Sequence, residues 1–436
     1  MTVRILVVDD SVVIRKLMTA TLGEVPGLEV TTAPLGRIAL AKIQQQQPDI
    51  VILDVEMPEM DGIETLRRIR KIAPHLPVIM FSTKTERGAA ATIEALTCGA
   101  SDYVAKPSNA GNVTIAMARV REELVPRIVA LTGRRGRTLA PTAPPVAASA
   151  PTAPPPYPRA APAHPPAAPQ HPPATPPAPV SPSARTTQLP RLTTQSITRP
   201  IATSGAITTL DRPIERPIER PIDRPIRVHR VSGPRPPVAI VAIGASTGGP
   251  NALSVLLAHL PADFAVPIVI VQHMLATFTR HFADRLASQC RIKIVEATAG
   301  EPLEPGHAYI ARGDHHLLVE RRAGRASLAM NQDKVENFCR PAVDVLFRSV
   351  AHSYGATALA LVLTGMGHDG LLGATAIRDA GGDVIVQDEA TSVVWGMPGF
   401  VARAGLASQV MPIEQLGGEI QRRVALGSPR AVGVMP

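Results

Sequence analysis

The feature that most constrains this chain is a proline-dense interior. Residues 131–235 hold 25 of the 45 prolines in 436 residues, first in Ala-Pro tracts such as PTAPPPYPRAAPAHPPAAP and then in the repeat RPIERPIERPIDRPIR (Arg212–Arg227). Proline lacks the backbone N–H and fixes φ, so such a stretch supports neither helix nor sheet ladder; it is expected to be extended, solvated and disordered. Folding must happen on either side of it. The sequence therefore predicts a folded unit over 1–131, a linker over 132–235 and a second folded unit over 236–430.

The same segment carries the charge. It contains 14 Arg, no Lys and 4 acidic residues, a net of +10, which leaves −1 of the chain's +9 for everything else. A basic tail for nucleic acid is one reading and a soluble spacer is the other. Apart from Tyr157 the segment lacks aromatics for base stacking, and no helix-turn-helix pattern accompanies it, so no specific nucleic-acid partner is expected. The opening MTVRILVVDDS has no apolar leader, and no run approaches the roughly 18 apolar residues of a membrane helix. A cytoplasmic protein without membrane insertion is expected. The three cysteines, Cys98, Cys290 and Cys339, lie far apart without metal-ligand spacing and read as reduced core residues.

Both flanking units alternate strand and helix patterns. In the first, RILVVDD, LEVTTA, DIVILDV, PVIMFST and DYVAK read as strands, each followed by a helical pattern. In the second, PVAIVAIG, VPIVIVQH, RIKIVEA, HAYIA, HLLVE, TALALVLTG, DVIVQ and SQVM are strand candidates, with helical NALSVLLAHL, TRHFADRLASQ, AVDVLFRSVAHSYG and LLGATAIRDAG among them. With aromatics at 3%, the cores must be filled by Ala, Val, Ile and Leu, which suits buried parallel sheets. The fold class is α/β, two doubly wound parallel-sheet domains joined by a disordered Pro-rich linker.

Asp9 and Asp10 end the first strand, Asp54 the third, Ser82 the fourth and Lys106 the fifth. Carboxyl ends of neighbouring parallel strands converge on one crevice. Three carboxylates there call for a hard divalent cation, and a carboxylate, a metal, a hydroxyl and an ammonium together suit phosphoryl transfer. This set resembles the response-regulator receiver family. The resemblance implies a flavodoxin-like strand order 2-1-3-4-5, Mg2+ on Asp9, Asp10 and Asp54, phosphorylation of Asp54 by a histidine kinase, phosphoryl contacts from Ser82 and Lys106, and a switch at Tyr103. Thr83, beside Ser82, leaves the hydroxyl open by one residue.

The second unit opens with Gly244-Ala245-Ser246-Thr247-Gly248, a G-x-S-x-G between an apolar strand and a helix. Such a turn exposes a serine hydroxyl and offers backbone N–H groups, that of Thr247 included, to an oxyanion. A phosphate-binding glycine loop is the rival reading, but the spacing is not G-x-G-x-x-G and no Walker lysine follows. A hydroxyl needs a base and the base an orienting acceptor. His273 follows the strand VPIVIVQ, and Asp369 lies in the turn after ALALVL. His315 and His316 read as loop or cap residues, while His368 is an alternative base.

The stretches IGASTGGPNAL, VIVQHM, RPAVDVLFRSVA, LTGMGHDG and VVWGMPG resemble the catalytic domain of chemotaxis protein-glutamate methylesterases. That resemblance implies a Rossmann-like three-layer hydrolase domain and a Ser246–His273–Asp369 triad without a cofactor. It also implies an oxyanion role for the Met366 N–H and a structural role for Arg340-Pro341 and Asp344. The substrates it implies are glutamyl methyl esters, and certain glutamines, on the cytoplasmic domains of chemoreceptors. In the family the unphosphorylated receiver covers the cleft, and a linker of about 105 residues is longer than usual there. A phosphorylation-dependent binding module without chemistry, and a DNA-binding regulator, remain the competing readings.

Overall fold

The structure, a computed structural model, describes residues 2–83, 85–106, 113–133, 236–322 and 324–426. The disordered linker expected over 132–235 falls outside them, apart from its first two residues; description resumes at Pro236, where the second folded unit is expected to begin.

The first sheet is built from β1 (Val3–Val8), β2 (Leu28–Ala33), β3 (Ile50–Asp54), β4 (Val78–Ser82) and β5 (Asp102–Ala105). Between and after them run α1 (Val12–Gly23), α2 (Gly36–Gln46), α3 (Gly62–Ile72), α4 (Glu86–Thr97) and α5 (Val113–Thr132). The strands pair in parallel in the order β2-β1-β3-β4-β5, as expected. Alternation along the strands sorts the core into two layers. Ile5, Val7, Ile50 and Ile52 meet Met18, Leu22, Leu124 and Ile128 of α1 and α5. Leu6, Val8, Val51 and Leu53 meet Ile43, Leu66, Ile69 and Ile93 of α2, α3 and α4. Helix α3 shows why these residues form a helix: Asp61 caps it by accepting the Glu64 N–H at 2.8 Å, Thr65, Leu66 and Ile69 face inward, and Arg70 and Lys71 close its last turn.

The second sheet has seven parallel strands: β6 (Ile240–Ala245), β7 (Ile268–Gln272), β8 (Lys293–Glu296), β9 (His307–Ile310), β12 (Ala358–Val362), β13 (Asp383–Gln387) and β14 (Gln409–Met411). Their order is β14-β13-β12-β6-β7-β9-β8. Helices α6 (Gly249–Ala258), α7 (Ala276–Gln289) and α11 (Ile413–Leu426) cover one face; α8 (Val343–Tyr354), α9 (Leu371–Asp379) and α10 (Met397–Arg403) cover the other. The three layers agree with the sequence reading, with one addition. The HLLVE strand, β10 (His316–Arg322), stands outside the parallel sheet and pairs antiparallel with β11 (Arg325–Asn331), a strand too polar to register in the sequence. Helices α10 and α11 were also not among the helical patterns. No helix among the described residues is long and apolar enough to cross a membrane.

Candidate active site

The strand order of the sheet places β6 at its centre, between β12 and β7, although β6 is the first of these strands in the chain. The segments leaving the carboxyl ends of these three strands carry Ser246, Asp369 and His273. The parallel register aligns Ala245 with Gln272, so Ser246 and His273 leave adjacent strands one step beyond that pair, with the His273 N–H donating to the Ala245 carbonyl at 3.0 Å. Neighbouring strands lie about 4.8 Å apart. The serine turn is held by its N–H on the Thr364 carbonyl (3.0 Å) and by its carbonyl accepting from Gly249 (2.8 Å). Its two flanking glycines do different things. Gly248 takes φ +78°, and Gly244 leaves room for Val343, whose Cγ1 would lie 2.3 Å from a Cβ there.

His273 Nε2 and Asp369 Oδ2 are 2.7 Å apart. Asp369 sits at the N-terminus of α8 and is 2% exposed. Its Oδ2 also accepts from the Val343 N–H (2.7 Å), and its Oδ1 accepts from Asp344 N–H (3.0 Å), Gly370 N–H (3.0 Å) and Asn337 Nδ2 (2.9 Å). Burial alone would raise this carboxyl, but the His273 bond and the helix-end amides bring it down to about 2. Burial would likewise lower His273; the bonds to Asp369 and Cys339 outweigh it and raise the imidazole to about 10. Among the described residues, the bonds of the His273 ring go to Asp369 and, through Nδ1, to Cys339 Sγ at 3.5 Å, and none joins it to the Ser246 hydroxyl.

A cavity of about 570 Å³ is lined by Ser246, Thr247, His273, Asp369 and Met366, with Tyr103 contributed by the first domain. His368 also lines it, exposed and edge-on to Phe400, while Asp369 has turned toward His273 instead. His316 is fully buried, accepting the Ala342 N–H at the start of α8 and reaching the Lys334 carbonyl, a cap role; His315 turns back on the Gly313 carbonyl. Asp344 is buried, takes the Gly373 N–H (2.6 Å) and Asn337 Nδ2 (2.9 Å), and is pushed up by burial and by Asp369; Arg340 grips Asp314 and two carbonyls.

Three contributors escaped the sequence reading. Cys339 is not a core residue: it is half-buried, lines the cavity and faces His273. Asn337 gives its amide to two buried aspartates. Gln272, fully buried, donates to the carbonyls of Ser246 (3.0 Å) and His273 (3.2 Å) and ties the two turns together. Its place at the end of an apolar strand was the available signal, since a buried amide must find partners.

In the first domain Asp9, Asp10 and Asp54 bring carboxylate oxygens within 4.8 Å of one another, and Lys106 Nζ lies 2.9 Å from Asp9 Oδ2 and 2.8 Å from Asp54 Oδ2. Burial and the Asp9 charge, against the pull of Lys106, raise Asp54 to about 6. An all-oxygen, acidic, converging donor set fits Mg2+. The Ser82 hydroxyl points to the Gly88 carbonyl (3.1 Å) at the start of α4. Thr83 instead pairs with Thr85, 3.0 Å away.

Tyr103 is buried at the seam between the two domains. Its ring packs 4.6 Å from that of Phe278, and its hydroxyl accepts the Leu275 N–H at 3.1 Å. Beside it Asp102 Oδ2 accepts from the Thr247 hydroxyl (2.6 Å) and from Arg127 (3.2 Å). Asn251 donates to the Ala100 carbonyl (3.4 Å), and His281 pairs with Glu86 at 2.7 Å. The first domain thus reaches the residue that follows Ser246.

Residues 241–420 match the CheB methylesterase family model, and residues 5–118 match the response regulator receiver domain. A protein-glutamate methylesterase/protein-glutamine glutaminase of Trichodesmium erythraeum is 43% identical over 422 residues, 97% of this chain and 99% of that protein. One of a Nocardioides species is 45% identical over 431 residues, 99% of this chain and 98% of that protein. The crystal structure of the Thermotoga maritima CheB methylesterase catalytic domain is 40% identical, covers 42% of this chain and 98% of that chain, and superposes with a TM-score of 0.42. With relatives this similar along their whole length, the chain belongs to the CheB family of receiver-linked protein-glutamate methylesterases.

Proposed function

We propose that the chain hydrolyses glutamyl γ-methyl esters on chemoreceptor cytoplasmic domains, and deamidates glutamines there, under control of Asp54 phosphorylation. The observation that carries the chemistry is the 2.7 Å bond from His273 to a carboxylate caged by amides, on the strand edge next to Ser246. Asp369 holds Nε2, which leaves Nδ1 as the base. The Ser246 hydroxyl attacks the ester carbonyl as Nδ1 takes its proton, and the N–H groups of Thr247 and Met366 face the oxyanion. The imidazolium returns the proton to the departing methoxide, which leaves as methanol, or to the amide nitrogen of glutamine, which leaves as ammonia. Water then cleaves the acyl-enzyme by the same route in reverse.

The Asp369 and Cys339 bonds raise the imidazole, and Nδ1 rests on Cys339 Sγ rather than on the Ser246 hydroxyl. With the first domain against Thr247 and Tyr103 against Leu275, this arrangement supports a resting state. Asp9, Asp10 and Asp54 would hold Mg2+, which would supply charge neutralisation for phosphoryl transfer from a histidine kinase. Asp54 takes the phosphoryl group; Lys106, already on Asp54, meets its oxygens, and Ser82 does so by turning away from the Gly88 carbonyl. Tyr103, on β5 with Lys106 one step beyond that strand, couples this event to the seam. Methanol release from methylated receptor fragments tests the proposal. Ser246→Ala should lose it while still taking phosphate from acetyl phosphate, and Asp54→Ala should keep the unphosphorylated rate whatever the donor. Retained turnover in Ser246→Ala refutes the triad.

A further inference from the structure

The segment between β11 and α8 contains a two-residue hairpin, one residue of which, Phe338, the proposed chemistry does not use. Glu336 and Cys339 bond to each other in both directions, at 3.1 and 2.9 Å, and enclose Asn337 and Phe338. Both enclosed residues have positive φ, +51° and +61°. That is the type I′ pattern, in which asparagine suits the first position and glycine the second. Phenylalanine stands where glycine belongs, in a conformation that bulky residues rarely adopt. Its ring is 99% exposed and so buries nothing within the described chain. An aromatic that strains the backbone and leaves its face in water is not explained by folding.

Its flanks are fixed to the reacting groups. Asn337 donates to both Asp369 and Asp344, and Cys339 touches His273 Nδ1. Phe338 is therefore held at the lip of the cleft, about 3.8 Å along the chain from the residue that faces the base. Leu275, 44% exposed, lines the same cavity.

We infer that Phe338 is a specificity-determining anchor, packing against an apolar side chain that flanks the modified glutamate on the substrate protein. The inference rests on the esterase reading above and names what that site recognises beyond the ester. A rigid aromatic presented at low entropy cost is the kind of residue on which interfaces concentrate their affinity.

The test uses the full chain, phosphorylated with acetyl phosphate, acting on a methylated chemoreceptor fragment and on p-nitrophenyl acetate. Phe338→Gly should raise KM for the receptor fragment about tenfold with kcat changed less than twofold. The ratio of receptor to small-ester kcat/KM should fall to match. The melting temperature should hold or rise, because glycine relieves the turn. Phe338→Leu should recover part of the KM. An unchanged receptor KM in Phe338→Gly, or equal losses on both substrates, overturns the inference. If Ser246→Ala keeps its turnover while Phe338→Gly still raises KM, the triad falls and the contact stands.

Discussion

The two domains each place a buried aspartate at the carboxyl edge of a parallel sheet, and the two carboxylates are treated in opposite ways. Asp54 shares its crevice with two further carboxylates and one lysine, and is pushed up to about 6. Asp369 is surrounded by donors, three backbone N–H groups, an amide and an imidazole, and is brought down to about 2. Both lie at the same edge of a parallel sheet, Asp54 ending β3 and Asp369 in the turn after β12, and the neighbours decide. A carboxylate left short of positive charge suits a hard cation. One that is fully satisfied stays ionised and keeps its partner in place.

The largest test of this contrast is Asp369→Asn. It keeps the shape but removes the charge that holds the imidazole, and kcat/KM for methanol release should fall about 10³- to 10⁴-fold. A loss below tenfold would mean that the donor cage has no catalytic purpose. Next comes Asp54→Asn, which relieves the crowding in the first crevice. The folded state holds the Asp54 proton more tightly than the unfolded chain does, so this group costs stability as pH rises from about 3.8 to about 6. In urea melts without Mg2+ the variant should lose less stability than wild type over that window, and its Mg2+ affinity should drop.

The His273–Asp369 pair carries the opposite signs. The raised imidazole contributes stability that is fully present below about 6.5 and lost as pH climbs through about 10; the lowered carboxyl contributes stability that is present above about 3.8 and lost as pH falls toward 2. The pair should therefore stabilise most between about 3.8 and 6.5. In the unphosphorylated chain, methanol release should increase with pH up to the His273 value, and Cys339→Ala should move that limb to lower pH. A flat profile would separate the base from this pair. Asn337→Ala should be the mildest, with about 1–2 kcal/mol lost from stability as two buried carboxylates lose a donor, measured by denaturant melts.

The elements that were legible in the sequence are the ones that apolar strands deliver. Strand ends fix where Asp9, Asp54, Ser246 and His273 emerge, and both parallel sheets follow from the alternation of strand and helix. The rest was hidden for physical reasons. Strand β11 is half exposed and polar, so it lacks the apolar run that marks its neighbours. Asn337 and Cys339 come from a hairpin without periodicity, and their partners lie 32 and 66 positions away. Cys339 looked like core because an isolated thiol usually is. Tyr103 could be singled out by resemblance, but its bond with Leu275 joins residues 172 positions apart, a pairing that no local pattern announces.

The seam at Tyr103 has a direction. In four of its polar contacts the donor comes from the catalytic domain (Thr247, Asn251, Leu275 and His281) and the acceptor oxygen from the receiver. Water can donate a hydrogen bond to one rim and accept one from the other, so parting the domains strands none of these groups. Such a boundary resembles a zip with wet teeth, whose two edges can part or meet without leaving either one short of a hydrogen bond.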